Sequence, residues 1–166
     1  MKSYECLNQY LSLNECSALN VDGSEPITGI LTSSSTIFSN ADDPQILITL
    51  RFDQNVNITQ ILVESGSNKE IAPNELKVFV GREDLDFDDV ADMNPTEKFD
   101  LSKNLGKLMR VNIPRFRNVN LMTLFLSNND AEKIQINSIK LYGEGGKTKI
   151  DFGEMKKNPV TWGSKC

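Results

Sequence analysis

The chain contains no histidine among its 166 residues. Ser-His-Asp and Cys-His mechanisms, and every His-ligated metal site, are therefore excluded. Lysines and carboxylates remain as general bases, but no pairing of them stands apart from a solvated surface. The glycines at 143, 145 and 146 precede Lys147 and Thr148 without the spacing of a phosphate loop. The acidic run Asp84, Asp86, Asp88 and Asp89 invites a calcium reading, because clustered carboxylate oxygens suit a hard cation. Its spacing argues otherwise. With Asp84 at the first loop position, the sixth falls on Asp89 instead of glycine and the twelfth on Pro95 instead of glutamate. The better reading is a short helix with an acidic N-terminus, favoured by the helix dipole, and no metal or other cofactor is expected.

Three cysteines, Cys6, Cys16 and Cys166, without Cys-x-x-Cys spacing indicate neither a disulfide framework nor a zinc knuckle. Glu5 would raise the pKa of Cys6, and Leu7 and Leu11 at helical spacing place it inside, so Cys6 reads as structural. Terminal Cys166 is oxidisable but not tuned for catalysis. Trp162, the one tryptophan, is either a plug that pins the C-terminal tail onto the body or an anchor for a partner. Phe87 and Phe152 pose the same question, with core packing favoured for both.

Composition narrows the classes further. Net charge is -5 and the pI near 4.8, so the averaged field repels phosphate backbones and anionic lipid, and no nucleic-acid partner is expected. From Glu144 onward five lysines face three acids, which makes the tail basic and the preceding body acidic. No run approaches the roughly 20 apolar residues of a membrane helix, and the start lacks the apolar core of a signal peptide. The expectation is one soluble intracellular domain over residues 1–166, with a body at 1–143 and a tail at 144–166. A domain of this length buries about 70% of its unfolded surface. Asn57-Ile58-Thr59 matches a glycosylation acceptor and reads instead as part of a strand.

Six stretches carry strand signals. Residues 45–52 and 57–64, separated by the turn-like Asp53-Gln54-Asn55, predict an antiparallel pair. Residues 75–81 and 108–113 predict two more strands, the second ended by Pro114. Residues 121–127 and 134–143 predict a hairpin across Asn128, Asn129 and Asp130, with a β-bulge where the apolar phase shifts between Ile136 and Ile139. Helical signal is confined to 84–91, with Asp84 or Asp86 as N-cap, and to 5–13. Residues 17–44 read as loop with irregular edge strands. Many short strands and one or two helical turns predict an all-β antiparallel sandwich.

The segment RFRNVNLMTLFLSNN, Arg115 to Asn129, runs an asparagine-rich corner into a hydrophobic strand that stops on paired asparagines. It resembles the signature of the PITH domain, the proteasome-interacting thioredoxin domain found as the C-terminal half of thioredoxin-like proteins. Other stretches match that family in order. They are Glu5 to Gln9, Asp43 to Phe52, Phe52 to Val56 with Asn55 where proline is usual, Leu85-Asp86-Phe87 after Val78-Phe79-Val80, and Ile139 to Gly143. A fainter echo continues through Ile150-Asp151-Phe152 and Lys156-Lys157.

The resemblance implies a jelly roll similar to galactose-binding domains. It also implies a non-enzymatic adaptor, monomeric on its own, cytoplasmic and nuclear, that tethers its protein to subunits of the 26S proteasome regulatory particle. Without a Cys-x-x-Cys, disulfide reductase activity is not expected of this chain. Partner contacts are expected at Asp86 and Phe87 and along the tail at Lys149, Asp151, Phe152, Lys156, Lys157 and Trp162. There the lysines would steer toward an acidic partner and the aromatics would supply buried area. A sandwich of this kind also admits a small-ligand or carbohydrate reading, with loops 65–74 and 94–103 as the candidates.

Overall fold

Alternating aliphatics from Ile46 to Phe52, and again from Ile58 to Val63, lie on one continuous twenty-residue strand, Gln45–Glu64. The computed structural model describes residues 4–23, 26–33 and 35–145. In chain order its strands and helices are β1 (Glu5–Cys6), β2 (Ser17–Leu19), α1 (Thr28–Leu31), β3 (Ile37–Phe38), β4 (Gln45–Glu64), β5 (Glu75–Val80), α2 (Phe87–Asp92), β6 (Glu97–Asp100), α3 (Leu101–Asn104), β7 (Met109–Arg110), β8 (Val119–Ser127), β9 (Gln135–Ile136) and β10 (Ser138–Glu144). Single 3-10 turns occupy Leu7–Tyr10, Leu13–Glu15, Lys69–Ile71 and Ile113–Phe116.

The N-terminal half of β4 pairs with β2 on one side and β8 on the other, and β8 continues through β5 to β6. Past the irregular stretch between Arg51 and Val56 the same strand pairs with β10 and β7, and β1 closes beyond β10. All these pairings are antiparallel, so the class is the predicted all-β antiparallel sandwich, with β4 shared by its two layers. The predicted pair at 45–64 is corrected accordingly: Asp53, Gln54 and Asn55 keep an extended path and change the strand's partners instead of reversing it.

The predicted hairpin between residues 121–127 and 134–143 is also absent. β8 pairs with β4 and β5, whereas β10 pairs with β4 and β1 in the other layer. Between them β9 pairs with β3 as a small separate sheet, extended by reciprocal bonds between Ser39 and Ile134. The apolar phase shift near Asn137 marks the gap between β9 and β10, and the register shift of β10 falls later, between Tyr142 and Gly143. A side chain at Gly143 would collide with the Asn57 carbonyl, so that crossing requires glycine.

Inward-facing residues of both layers make one core. Ile48, Leu124 and Val78 stand in register across the first layer, and Ile61, Val63, Ile139 and Leu141 belong to the second. Phe116 plugs it without exposure. The first layer is unusual in being covered on its outer face as well. There Leu47, Phe79 and Phe125 meet Val90 of α2, with Leu85, Phe87 and Met93 packed around them. This second, smaller core explains why β8 is buried at every position but Asn120.

Two asparagines staple connecting segments to the sandwich. Asn8, in the first 3-10 turn, donates to the carbonyls of Leu31 (2.9 Å) and Ile139 (2.8 Å) and accepts from the Leu141 N–H (2.9 Å). Asn128, just past β8, donates to Ala72 O (2.8 Å) and accepts from Asn74 Nδ2 (3.1 Å) and the Asp130 N–H (3.0 Å). Both side chains are buried and satisfied, as interior polar groups must be.

Candidate functional site

Residues 81–96 connect β5 to β6 by an arm that crosses the outer face of the first layer. Gly81 and Asp84 take positive φ (75° and 55°) to turn the chain out of the sheet. Asp86 is then the N-cap of α2. Its carboxylate accepts the Asp89 N–H at 2.9 Å while Asp89 Oδ2 accepts the Asp86 N–H at 3.0 Å, a reciprocal capping box. The predicted short acidic helix is present, and Asp86 is the cap.

Phe87 follows as the first helical residue and packs edge-on against Phe125, ring centroids 6.1 Å apart. Val90 one turn later is fully buried between Phe79, Phe125 and Leu47. Of the predicted partner contacts, these two are therefore brought together on one arm with structural work to do: Asp86 starts the helix and Phe87 fastens it to the sheet. Lys149, Asp151, Phe152, Lys156, Lys157 and Trp162 lie outside the described residues. At the root of the arm Arg51 Nη2 reaches Glu83 Oε1 at 2.9 Å, which raises the Arg51 pKa.

Loops 65–74 and 94–103 do converge at one end of the sandwich. Loop 65–74 shapes a recess of about 610 Å³ with Ala41, Asp42 and residues 128–133, and its walls include Lys69, Glu70, Asn74, Asn128, Asp130 and Lys133. The 94–103 segment borders a separate recess beside it, through Lys98, Phe99 and Asp100. Mixed charges line the first recess and no aromatic side chain does. The Asn128 amide that faces it is consumed by its three bonds to neighbouring loops. Asp100, on the neighbouring rim, accepts from the Ser102 hydroxyl and N–H, which lowers its pKa.

A further charged surface was not singled out by sequence reading, although its signal is plain. From Leu101 to Asn129 the chain carries Lys103, Lys107, Arg110, Arg115 and Arg117 and not one acid. All five side chains are exposed. Lys103 lies in α3, Arg110 in β7 and Arg115 in the 3-10 turn that follows, and β7 itself lies against the far end of β4, with Gln60 opposite Arg110 and Ile61 opposite Met109. Leu108 stands among them and is 52% exposed, one of two large apolar side chains so placed among the described residues.

The cysteines divide differently from expectation. Cys6 is buried and disulfide-bonded, so the reading of no disulfide fails there, while its structural role holds. Cys16 is a free thiol whose pKa is raised by burial, which suits packing and not reactivity. The glycosylation acceptor is likewise accounted for within β4: Asn57 Oδ1 takes the Asn118 N–H at 2.9 Å, and the Thr59 hydroxyl donates to Tyr142 O at 3.2 Å.

Among solved structures, the family 32 carbohydrate-binding module of C. perfringens NanJ in complex with galactose superposes with a TM-score of 0.61. It shares 7% identity and covers 84% of this chain and 98% of that one. A Ruminococcus gnavus GH29 fucosidase in complex with fucose gives 0.61 at 12% identity, over 84% of this chain and 26% of its own. An F5/8 type C domain of a Bacteroides fragilis protein gives 0.55 at 13% identity, over 87% and 99%. These likenesses establish a jelly roll of the galactose-binding type and nothing about ligand. The PITH domain family model matches residues 1–159. That match spans nearly the whole sequence, including the capped arm, both asparagine staples and the basic segment, and the chain belongs to the PITH domain family.

Proposed function

We propose that this PITH domain is a non-enzymatic interaction module that docks its protein onto the regulatory particle of the 26S proteasome. The observation that carries this reading is the family match over residues 1–159. The absence of histidine from the sequence supports the non-catalytic part. So does the employment of the signature residues: the Asn8 and Asn128 side chains bond to the backbone of neighbouring segments, the Asn118 N–H donates to Asn57 Oδ1, Asp86 caps its own helix, and Phe87 packs against the sheet. The signature thus specifies a fold, leaving the exposed surface to choose a partner. Co-sedimentation with purified proteasome from a matched source tests the reading. The chain is expected in the proteasome fraction, and failure to appear there while a full-length relative does overturns it. Deleting residues 147–166 asks whether the tail, with Lys149, Asp151, Phe152, Lys156, Lys157 and Trp162, carries the contacts. Compared under reducing conditions, so that the Cys6 disulfide is open in both forms, weaker docking at an unchanged melting temperature is the expected result.

A second reading, a carbohydrate-binding sandwich, draws on the galactose and fucose held by two of the similar structures. The recess at residues 69–74 and 128–133 is where it would act. The missing aromatic platform and the occupied Asn128 amide weigh against it. No thermal stabilisation by galactose, fucose or N-acetylgalactosamine sets it aside.

A further inference from the structure

We infer that the face formed by Lys103, Lys107, Leu108, Arg110 and Arg117 receives a short acidic peptide segment of a protein partner, laid as an extra strand along the free edge of β7. The inference deepens the docking proposal and rests on it for the identity of the partner, but not for the chemistry.

Uncompensated charge comes first. The chain has an acidic excess overall, and its described ion pairs join Arg51 to Glu83, Lys98 to Glu75 and Lys140 to Glu64. Among the described residues no carboxylate pairs with Lys107, Arg110 or Arg117. Arg115 is partly occupied, since its Nη1 donates to Thr96 O at 3.0 Å. Like charges gathered without counter-ions destabilise slightly and are the usual footprint of an anionic partner.

Backbone geometry supplies the second argument. β7 pairs with β4 on one side and with no described strand on the other. The Val111 N–H donates to Thr59 O at 3.1 Å, so alternation along an antiparallel strand turns the N–H and C=O of Arg110 away from β4. Alternation of side chains puts Leu108 on the same face as Arg110, beside Gln60. An incoming strand would find open backbone groups, one apolar side chain and flanking cations, the ingredients of strand addition.

The face is also bounded. Glu97 closes one end, where its carboxylate accepts the Asn112 N–H at 2.7 Å, and Asp100 sits near Lys103 at the other. With its flanking residues β7 runs from Leu108 to Val111, four residues or roughly 13 Å of chain, and the turn at Gly106 (φ 76°) precedes it. A long polyanion would run onto these carboxylates, whereas a peptide of about four residues fits between them. Cations on an edge strand can also act simply to repel other edges, and that function requires no affinity for anything.

The test uses fluorescence anisotropy with a labelled peptide alternating Glu and Leu, and a control with Lys in place of Glu. The full chain should bind the acidic peptide and not the control. K107E/R110E should weaken binding by about tenfold or more, and L108S by less. Indifference of the chain to the acidic peptide, or full affinity in K107E/R110E with an unchanged melting temperature, overturns the proposal. Equal binding of a single-stranded oligonucleotide or of phosphatidylserine vesicles, lost in the same variant, also overturns it in favour of a generic anion face. Co-sedimentation separates this proposal from the docking one. If K107E/R110E still travels with the proteasome, this face falls and docking stands. If the wild-type chain binds peptide but does not travel with the proteasome, docking falls and this face stands.

Discussion

Two neighbouring segments, the arm at residues 81–96 with six carboxylates and the basic segment at residues 101–117 with five cations, use their charge in opposite ways. The arm spends half of its carboxylates on its own anchoring and leaves Asp84, Asp88 and Asp92 exposed. Asp86 and Asp89 cap each other's backbone, Glu83 meets Arg51, and Phe87, Val90 and Met93 close a small core against the sheet. The basic segment leaves its charges open, exposes Leu108 and offers a strand edge. Charge density alone therefore does not mark an interface. What separates the two is that Glu83, Asp86 and Asp89 anchor the arm through partners of their own, whereas among the described residues no carboxylate pairs with Lys107, Arg110 or Arg117.

Breaking the arm should produce the largest effect. Val90→Asp places a carboxylate where there is no exposure and no counter-ion, and should cost about 3 kcal/mol or more in chemical denaturation. Removing the cap is milder. Asp86→Ala forfeits one half of the capping box and should cost about 1 kcal/mol by the same measurement. At the far end of the scale, Lys107→Glu and Arg110→Glu should each change stability by less than about 0.5 kcal/mol, because both side chains are exposed and unpaired. A cost above about 2 kcal/mol for either reversal would show that this segment, too, is built for the fold, and the contrast would collapse.

Local chemistry was legible in the sequence wherever neighbours in the chain decide the outcome. The cap at Asp86 rests on residues three apart, and β5 follows from the alternation of Leu76, Val78 and Val80. Non-local choices were not legible. Asp53-Gln54-Asn55 has the composition of a turn, yet tertiary pairing on both sides holds it extended. Asn128 and Asn129 have the composition of a hairpin loop, but Asn128 is spent on Ala72 and Asn74, and the chain departs to meet β3. The strand predicted at 108–113 survives only as Met109–Arg110, because Asn112 turns its N–H to Glu97 and Pro114 sits in the first turn of a 3-10 turn. Phe87 could be placed on a helix but not against Phe125, a partner 38 positions away. The open basic face was visible as a charge count, but its lack of counter-ions is a fact of three dimensions.

Because β4 belongs to both layers, the sandwich has no seam along which it can part. Peeling β8 from the first half of β4 frays the strand on which β10 and β7 depend. Amide exchange in the two layers should therefore be governed by one shared opening event, with the slowest protons on both halves of β4 released together. Interactions at the edges can come and go without loosening that frame, so a partner added to β7 would be held by a rigid body and not by a hinged one.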